Sequence, residues 1–283
     1  MQGEHLGLFP GAGSEPGESR PYVPGDDVRL IDWNVTARTA ELHVRDPVAD
    51  HEVELWLVVD VSASQHFGTT TREKREVAVG LATAFGLPAT RLANRVGAVI
   101  VGGGAVAVVP PAAGRVRFLA LLRRLLATEA WEGEGRTDLA VALQTVERLA
   151  RRRGVVVVIS DLLCGPGWEP ALGRLGIRHD LVVAEVVDPR ELELPRMGVL
   201  TLVDAETGRT RVVDTSSGRL RAAFAGAAVS QRATIADAVT RAGGDHLVVS
   251  TDDDWVGEVL AFLTRRTRRR MYRAVPSRTG GTP

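Results

Sequence analysis

The residues best suited to chemistry in this chain are oxygen donors placed where apolar runs end. Asp60, Ser62 and Ser64 alternate in Asp60-Val61-Ser62-Ala63-Ser64, at the point where the apolar run from Val53 to Asp60 stops. In an extended turn this alternation points all three side chains the same way. Thr137 stands just ahead of a helical stretch, and Asp161 directly follows the valine run from Gly154 to Ser160. If those runs are neighbouring strands, three hydroxyls and two carboxylates converge on one point. Such a hard, doubly negative set suits Mg²⁺ or Mn²⁺ and leaves coordination positions for water or a partner. An Asp or Ser after a strand is also an ordinary helix cap; the joint placement at three separate boundaries is what favours a metal.

The alternative is an enzyme, with Mg-dependent phosphotransfer or hydrolysis at the same Asp-rich edge. A nucleophilic Asp of that kind wants an acid-base partner, a second Asp two residues on, and position 62 is Ser. Metal-assisted chemistry also wants a positioned base. His66 is the only histidine close in sequence to the ligands, and it is a lone loop residue. The set therefore reads as a socket that binds, not as a catalyst.

Positioning these groups requires strands that end together. Short Val/Leu/Ile runs alternate with longer helical stretches, the pattern of a parallel sheet covered by helices on both faces. Strands are predicted at Val53 to Asp60, Val96 to Val101, Ala105 to Val109, Gly154 to Ser160, His179 to Val187 and His246 to Ser250. Helices are predicted over about 72–92, 116–126, 138–152, 217–242 and 254–269. Gly102-Gly103-Gly104 joins the second and third strands as an edge hairpin, whose turn needs φ values that glycine reaches cheaply. Residues 199–213 read as an inserted, solvent-facing hairpin. In open sheets of this class ligands bind at the carboxyl ends of the strands, where the strand order reverses. The expected organisation is one α/β domain over 53–270. Residues 1–20 are expected as a flexible leader, 21–52 as a segment packed on the core, and 271–283 as a flexible tail.

Composition removes several other classes. The chain has 283 residues with 35 basic and 35 acidic side chains, so no global field gathers nucleic acid or anionic lipid. One cysteine, Cys164, excludes a disulfide framework and cysteine-rich zinc modules. Lys74 is the only lysine and no glycine-rich loop precedes it, which excludes a Walker A nucleotide site. No apolar stretch approaches the roughly 20 residues of a membrane span, and no signal-like start is present, so a cytoplasmic protein without an integral membrane segment is expected.

The sequence also resembles known families. Asp60, Ser62 and Ser64, then Gly135-Arg136-Thr137-Asp138-Leu139-Ala140-Val141-Ala142-Leu143, then Ile159-Ser160-Asp161 resemble the metal-ion-dependent adhesion site of the von Willebrand factor A domain. Upstream, the run Arg20-Pro21-Tyr22-Val23-Pro24-Gly25-Asp26-Asp27-Val28-Arg29-Leu30-Ile31-Asp32-Trp33-Asn34 closely resembles the signature of bacterial proteins grouped as domain of unknown function 58. Ala37-Arg38 and Leu42-His43-Val44-Arg45 extend that likeness, which covers about residue 18 to residue 266.

The resemblance implies a three-layer, Rossmann-like A-domain fold with a divalent cation at the strand ends. In the family pattern Ser62, Ser64 and Thr137 coordinate the cation directly or nearly so, while Asp60 and Asp161 act directly or through water. It further implies an adaptor role beside a MoxR-type AAA+ ATPase in chaperone-like assembly or maturation, with a client protein supplying a carboxylate to the cation. Many members begin with membrane-spanning helices; this chain starts at the signature, which favours a form without them. Gln65 stands where an apolar Met is common in the family, a change expected to alter loop packing.

Weaker signals read as structural. In Pro24 to Asn34, Arg/Asp pairing beside an anchoring Trp33 is expected to fasten the segment, a recognition surface being the other reading. Asp252, Asp253 and Asp254 precede a helix and suit capping. Arg265, Arg266, Arg268, Arg269, Arg270 and Arg273 suit a helix C-terminus better than nucleic acid. Cys164 suits a small packed thiol.

Overall fold

The computed structural model describes residues 19–45, 53–92, 94–127, 137–204 and 207–274. Strand β1 (Ser19–Pro21) and helix α1 (Trp33–Thr39) are followed by β2 (His43–Arg45), which pairs antiparallel with β1. One Asp32 oxygen caps α1 by accepting from the Asn34 and Val35 amides, and the other accepts from the Ser19 hydroxyl at 3.0 Å. Arg20 grips Asp26 with two hydrogen bonds of 2.7 and 2.8 Å. Arg/Asp pairing is present, but its arginine is Arg20, outside Pro24–Asn34, and Trp33 is no anchor: it is 68% exposed, while Asp32 and Val44 are buried. A capping Asp32 that faces inward leaves the first helical residue on the outer side of a short helix. Ser19 and Arg20 belong to a strand and not to the expected leader; the rest of that leader, residues 1–18, and residues 46–52 lie outside the described residues.

The chain continues through β3 (Glu54–Asp60), α2 (Lys74–Arg91), β4 (Arg95–Gly102), β5 (Ala105–Ala113), α3 (Arg115–Ala127), α4 (Leu139–Leu149) and β6 (Val155–Ser160). Then come α5 (Glu169–Arg178), β7 (Asp180–Val187), α6 (Pro189–Leu192), β8 (Val199–Val203), β9 (Thr210–Asp214), α7 (Gly218–Arg241), β10 (Asp245–Ser250) and α8 (Trp255–Ala274). Six strands form one sheet in the order β10-β7-β6-β3-β4-β5. It is parallel except at the edge, where β5 returns antiparallel on β4. β8 and β9 make a separate hairpin. This is the mainly parallel, three-layer α/β architecture with an antiparallel edge and an inserted hairpin.

Strand periodicity explains the layers. Successive residues face opposite ways, so Leu55, Leu57 and Val59 pack on one side with Phe85, Phe118 and Phe262, from α2, α3 and α8. Trp56 and Val58 pack on the other with Leu143, Leu172 and Val239, from α4, α5 and α7. Each fully buried side chain of this size contributes on the order of 1.5–3 kcal/mol. Val155 to Val158 of β6 are buried in turn on both faces, which is why that run is unbroken valine.

Several elements differ from the sequence reading. No helix was expected between the Gly154–Ser160 and His179–Val187 runs, yet α5 is there. Adjacent parallel strands cannot be joined without a crossover of about a dozen residues, and Gly173 and Gly176 had diluted its apolar period. β5 runs on through Pro110 and Pro111 to Ala113, which an edge strand tolerates because its outer side needs no ladder donor. Helix α8 extends to Ala274, past the expected domain end at 270, and residues 275–283 lie outside the described residues.

Candidate functional site

After β3 the chain crosses by α2 to β4 on one side, and later reaches β6 on the other. The strand order therefore reverses between β3 and β6, and their carboxyl ends carry Asp60 and Asp161. β4 supports the same loop from its far side. A Cβ at Gly102 would stand 2.9 Å from the Val61 carbonyl carbon and 3.0 Å from the Ser62 nitrogen. Glycine is what allows this close backbone approach.

A chain of hydrogen bonds joins four of the expected residues. Asp60 Oδ1 accepts from the Ser62 amide at 2.9 Å, Ser62 Oγ and Ser64 Oγ are 3.0 Å apart, and Ser64 Oγ donates to Asp161 Oδ2 at 2.7 Å. Asp60 Oδ2 accepts from Ser160 Oγ at 2.6 Å, and Asp161 Oδ1 from the Leu163 amide at 3.0 Å. Asp60, Ser62 and Asp161 are buried, and Ser64 is half-buried toward solvent. The fifth residue, Thr137, is buried one position ahead of Asp138, whose side chain caps α4. α4 runs back toward the start of β6, so its first turn lies at this same edge. Between Ser160 and Leu163, Leu162 adopts a left-handed φ of 58°. That conformation is uncommon and unfavourable for a branched L-residue, and such strain gathers at ligand-binding loops.

Sequence reasoning missed the cation in the cluster. Lys74, the first residue of α2, is completely buried, with its ammonium 2.6 Å from Asp161 Oδ2 and 2.5 Å from Glu191 Oε1. A lysine at a helix N-terminus opposes the macrodipole, so its place is set by the two carboxylates. The available signal was its singularity, one lysine in 283 residues, which had served only to exclude a nucleotide loop. Glu191 comes from α6 and accepts from the Asp188 amide at 3.0 Å. Asp188, also buried and also missed, accepts from the Thr69 amide and hydroxyl, the Arg190 amide and the Thr251 hydroxyl. It ties the β3 loop to the ends of β7 and β10. Asp before Pro189 reads as a helix cap in sequence, but its partners in the distant loops do not show there.

Burial and neighbouring charges shift several of these groups. Burial, then the facing charge of Asp161, push Asp60 up to about 6, against the hydrogen bonds from Ser160 and Ser62. Burial opposes the charge on Lys74, but Asp161 and Glu191 outweigh it and hold its pKa above the ordinary lysine value. Burial lifts Glu191 against the pull of Lys74. Burial also lifts Asp188, but the hydrogen bonds from Thr69, Arg190 and Thr251 outweigh it and hold its pKa below the usual range. Burial, Asp60 and Asp161 drive the Cys164 thiol up to about 12, so it is a packed, unreactive group as expected.

The donor set fits a divalent cation on these grounds. Asp60, Asp161 and Glu191 against the one ammonium of Lys74 leave two negative charges uncompensated, beside two hydroxyls 3.0 Å apart. Among the described residues no three His, Cys, Asp or Glu side chains gather as a metal cluster; here hydroxyls make up the set. Beside it opens a cavity of about 270 Å³, with Asp161 and Glu191 in its wall together with Val187, Leu192, Phe224 and Ala228.

The weaker signals resolve structurally. Asp254 accepts from the Gly257 amide at 3.2 Å as a cap. His66 lies 3.7 Å from Glu73. Gln65 is fully buried, and neither atom of its amide has a hydrogen-bond partner among the described residues. Arg266 is not a solvated member of its basic run; it is buried against Asp180 and Asp245.

The model of the family described as "Protein of unknown function DUF58" matches residues 18–234. "Uncharacterized protein Rv1480" of Mycobacterium tuberculosis and "Uncharacterized protein Mb1516" of Mycobacterium bovis are each 45% identical over 268 residues, covering 95% of this chain and 84% of theirs. An aerotolerance-related membrane protein from Bacteroides fragilis is similar in structure, with a TM-score of 0.51 and 15% identity over 77% of this chain and 99% of that one. A von Willebrand factor type A protein from Catenulispora acidiphila matches with a TM-score of 0.42 and 12% identity, over 76% of this chain and 42% of that one. At 15% identity the likeness to the aerotolerance-related protein is one of fold alone.

Proposed function

The chain belongs to the DUF58 family, and we propose that its strand-end cluster is a divalent-metal socket through which it binds an acidic side chain of a protein partner. The observation that carries this reading is geometric: two buried carboxylates, Asp60 and Asp161, meet the Ser62 and Ser64 hydroxyls at the switch point in one chain of hydrogen bonds. Ser62, Ser64 and Thr137 would hold Mg²⁺ or Mn²⁺, with Asp60 and Asp161 balancing its charge directly or through water. A cation bound there supplies an attraction for a carboxylate and an open coordination position.

The chain's own residues do the positioning. Ser160 and the Ser62 amide fix both oxygens of Asp60, so this carboxylate is a built part of the wall and is not presented as a nucleophile. That arrangement favours binding over the phosphotransfer or hydrolase alternative, and a protein that is not an enzyme. Ser64, half-exposed, forms the outer lip. A MoxR-type AAA+ ATPase is the partner we propose from the family resemblance, in an adaptor role for assembly or maturation of a client protein.

Titration of the purified protein with Mg²⁺ or Mn²⁺ tests the socket. A ligand at a hundred times its Kd adds about 2.7 kcal/mol of stability, so melting temperature should rise in the wild type and stay unchanged in Asp60→Ala/Asp161→Ala. A wild type indifferent to both ions overturns the metal reading. Turnover of phosphate esters that disappears with Asp60→Ala overturns the binding reading.

A further inference from the structure

The site just described contains a cation of its own. Lys74 is the only lysine of the chain, it is completely buried, and it sits at a helix terminus where the dipole disfavours it. Its ammonium touches Asp161 Oδ2 at 2.6 Å, the oxygen that also accepts from Ser64 at 2.7 Å. One shared oxygen thus separates the lysine from the hydroxyl pair proposed to receive the metal. The second partner, Glu191, lies outside that set and stands in the wall of the adjoining cavity.

We propose that Lys74 is a tethered cation that tunes the socket: with Glu191 as its counterweight, it sets the net negative charge that an incoming divalent ion meets, and so sets how tightly that ion is held. This inference rests on the metal-socket reading above. Without Lys74 the three carboxylates would present an additional negative charge to the ion. Without Glu191 the ammonium would be compensated by Asp161 alone, and one negative charge would be lost. Removing both restores the original balance with different atoms. A purely structural lysine has no such ordering: every substitution would loosen the loop and weaken the ion.

The experiment is a charge ladder in the full chain. Mg²⁺ and Mn²⁺ are titrated calorimetrically into wild type, Lys74→Met, Glu191→Gln and the double variant, with folding of each checked by circular dichroism. The expected order of affinity is Lys74→Met tightest, wild type and the double variant alike, and Glu191→Gln weakest. Each step is on the order of tenfold or more, because a unit charge acts on a divalent ion across a few ångströms of poorly screened protein. If Lys74→Met does not fold, Glu191→Gln and the double variant still decide, since the proposal requires weakening in the first and recovery in the second. Weaker binding in Lys74→Met, or equal affinity in all four, overturns the role of Lys74 while leaving the socket standing. Binding that appears only in Lys74→Met supports the tethered cation and overturns the metal-dependent reading of the wild type. No binding in any folded variant overturns both.

Discussion

Two buried cations, each held by two carboxylates, lie at opposite edges of the same sheet. At the carboxyl edge Lys74 bridges Asp161 and Glu191; at the amino edge Arg266 of α8 bridges Asp180 and Asp245, the first residues of β7 and β10. The chemistry is the same and the surroundings differ. The acids of Arg266 are 28% and 36% exposed, so water shares their solvation, and the trio clips the last helix to the sheet. The acids of Lys74 are 2% and 19% exposed and adjoin a further buried carboxylate, Asp60, hydroxyls and a cavity. An ion pair alone therefore marks nothing; a further buried carboxylate and hydroxyls beside a cavity are what distinguish the carboxyl edge from a clip.

Breaking the two clusters in parallel gives the largest expected effect. Lys74→Met strands buried carboxylates, and losing one partner of a buried pair costs about 3–5 kcal/mol. Arg266→Met leaves acids that water can reach, so about 1.5–3 kcal/mol is expected, the range of hydrogen bonds to charged groups. Urea unfolding at pH 7 without metal compares them. Equal losses, or a larger loss at Arg266, would erase the distinction between the edges.

The burial of Asp60, with Asp161 facing it, predicts a pH dependence of opposite sense to ordinary acid denaturation. Asp60 titrates at about 6 in the folded protein, against 3.8 for an ordinary aspartate. Between those values the folded state holds the proton more tightly, so this group's contribution favours folding at low pH and is lost as pH rises from about 4 through about 6. The shift corresponds to about 3 kcal/mol. Measured as the difference in unfolding free energy between wild type and Asp60→Asn, stability of the wild type should fall by about 2–3 kcal/mol from pH 4 to pH 7. A flat difference would mean that burial does not raise the Asp60 pKa in the folded protein.

The fold was legible from the chain because its strands are runs of Val, Leu and Ile ending in oxygen-bearing residues. Asp60, Ser62, Ser64 and Asp161 could be placed together for the same reason: each stands where a periodic run stops, and the edge is where such runs converge. Lys74, Glu191 and Asp188 could not, because their roles depend on side chains 63 to 119 positions away, a separation that no local period encodes. Trp33 failed for a local reason. An aromatic among paired charges suggests an anchor, but the cap at Asp32 decides which way the helix turns and leaves the ring outside.

Gln65 offers a smaller test of the carboxyl edge. Its fully buried amide, unpartnered among the described residues, sits in the loop between Ser64 and His66. The amino edge has its own counterpart in His179, whose ring nitrogens are likewise buried and unpartnered among the described residues. Leaving a buried polar group unsatisfied costs about 1–3 kcal/mol, so Gln65→Met should stabilise by that order. At this chain length the melting temperature would rise by about 2–4 °C per kcal/mol. A fall instead would show that the amide is bonded in solution and that the loop depends on it.

The smallest effect on stability is expected at Trp33, and its interest lies in that smallness. The N-terminal segment is held by Asp32, by the Arg20 and Asp26 pair and by the β1–β2 pairing, none of which uses the indole. Removing an exposed side chain away from such features changes stability by no more than about 0.5 kcal/mol, so Trp33→Ala should unfold like the wild type. Aromatic side chains are enriched at the centres of interfaces. If this ring serves the recognition surface that the segment's charge pattern suggested, Trp33→Ala should weaken capture of the ATPase proposed as partner while leaving Mg²⁺ affinity unchanged. Asp60→Ala should do the reverse to the metal, losing it without disturbing the segment. Loss of stability in Trp33→Ala would return the ring to a structural role and leave the strand edge as the candidate contact among the described residues.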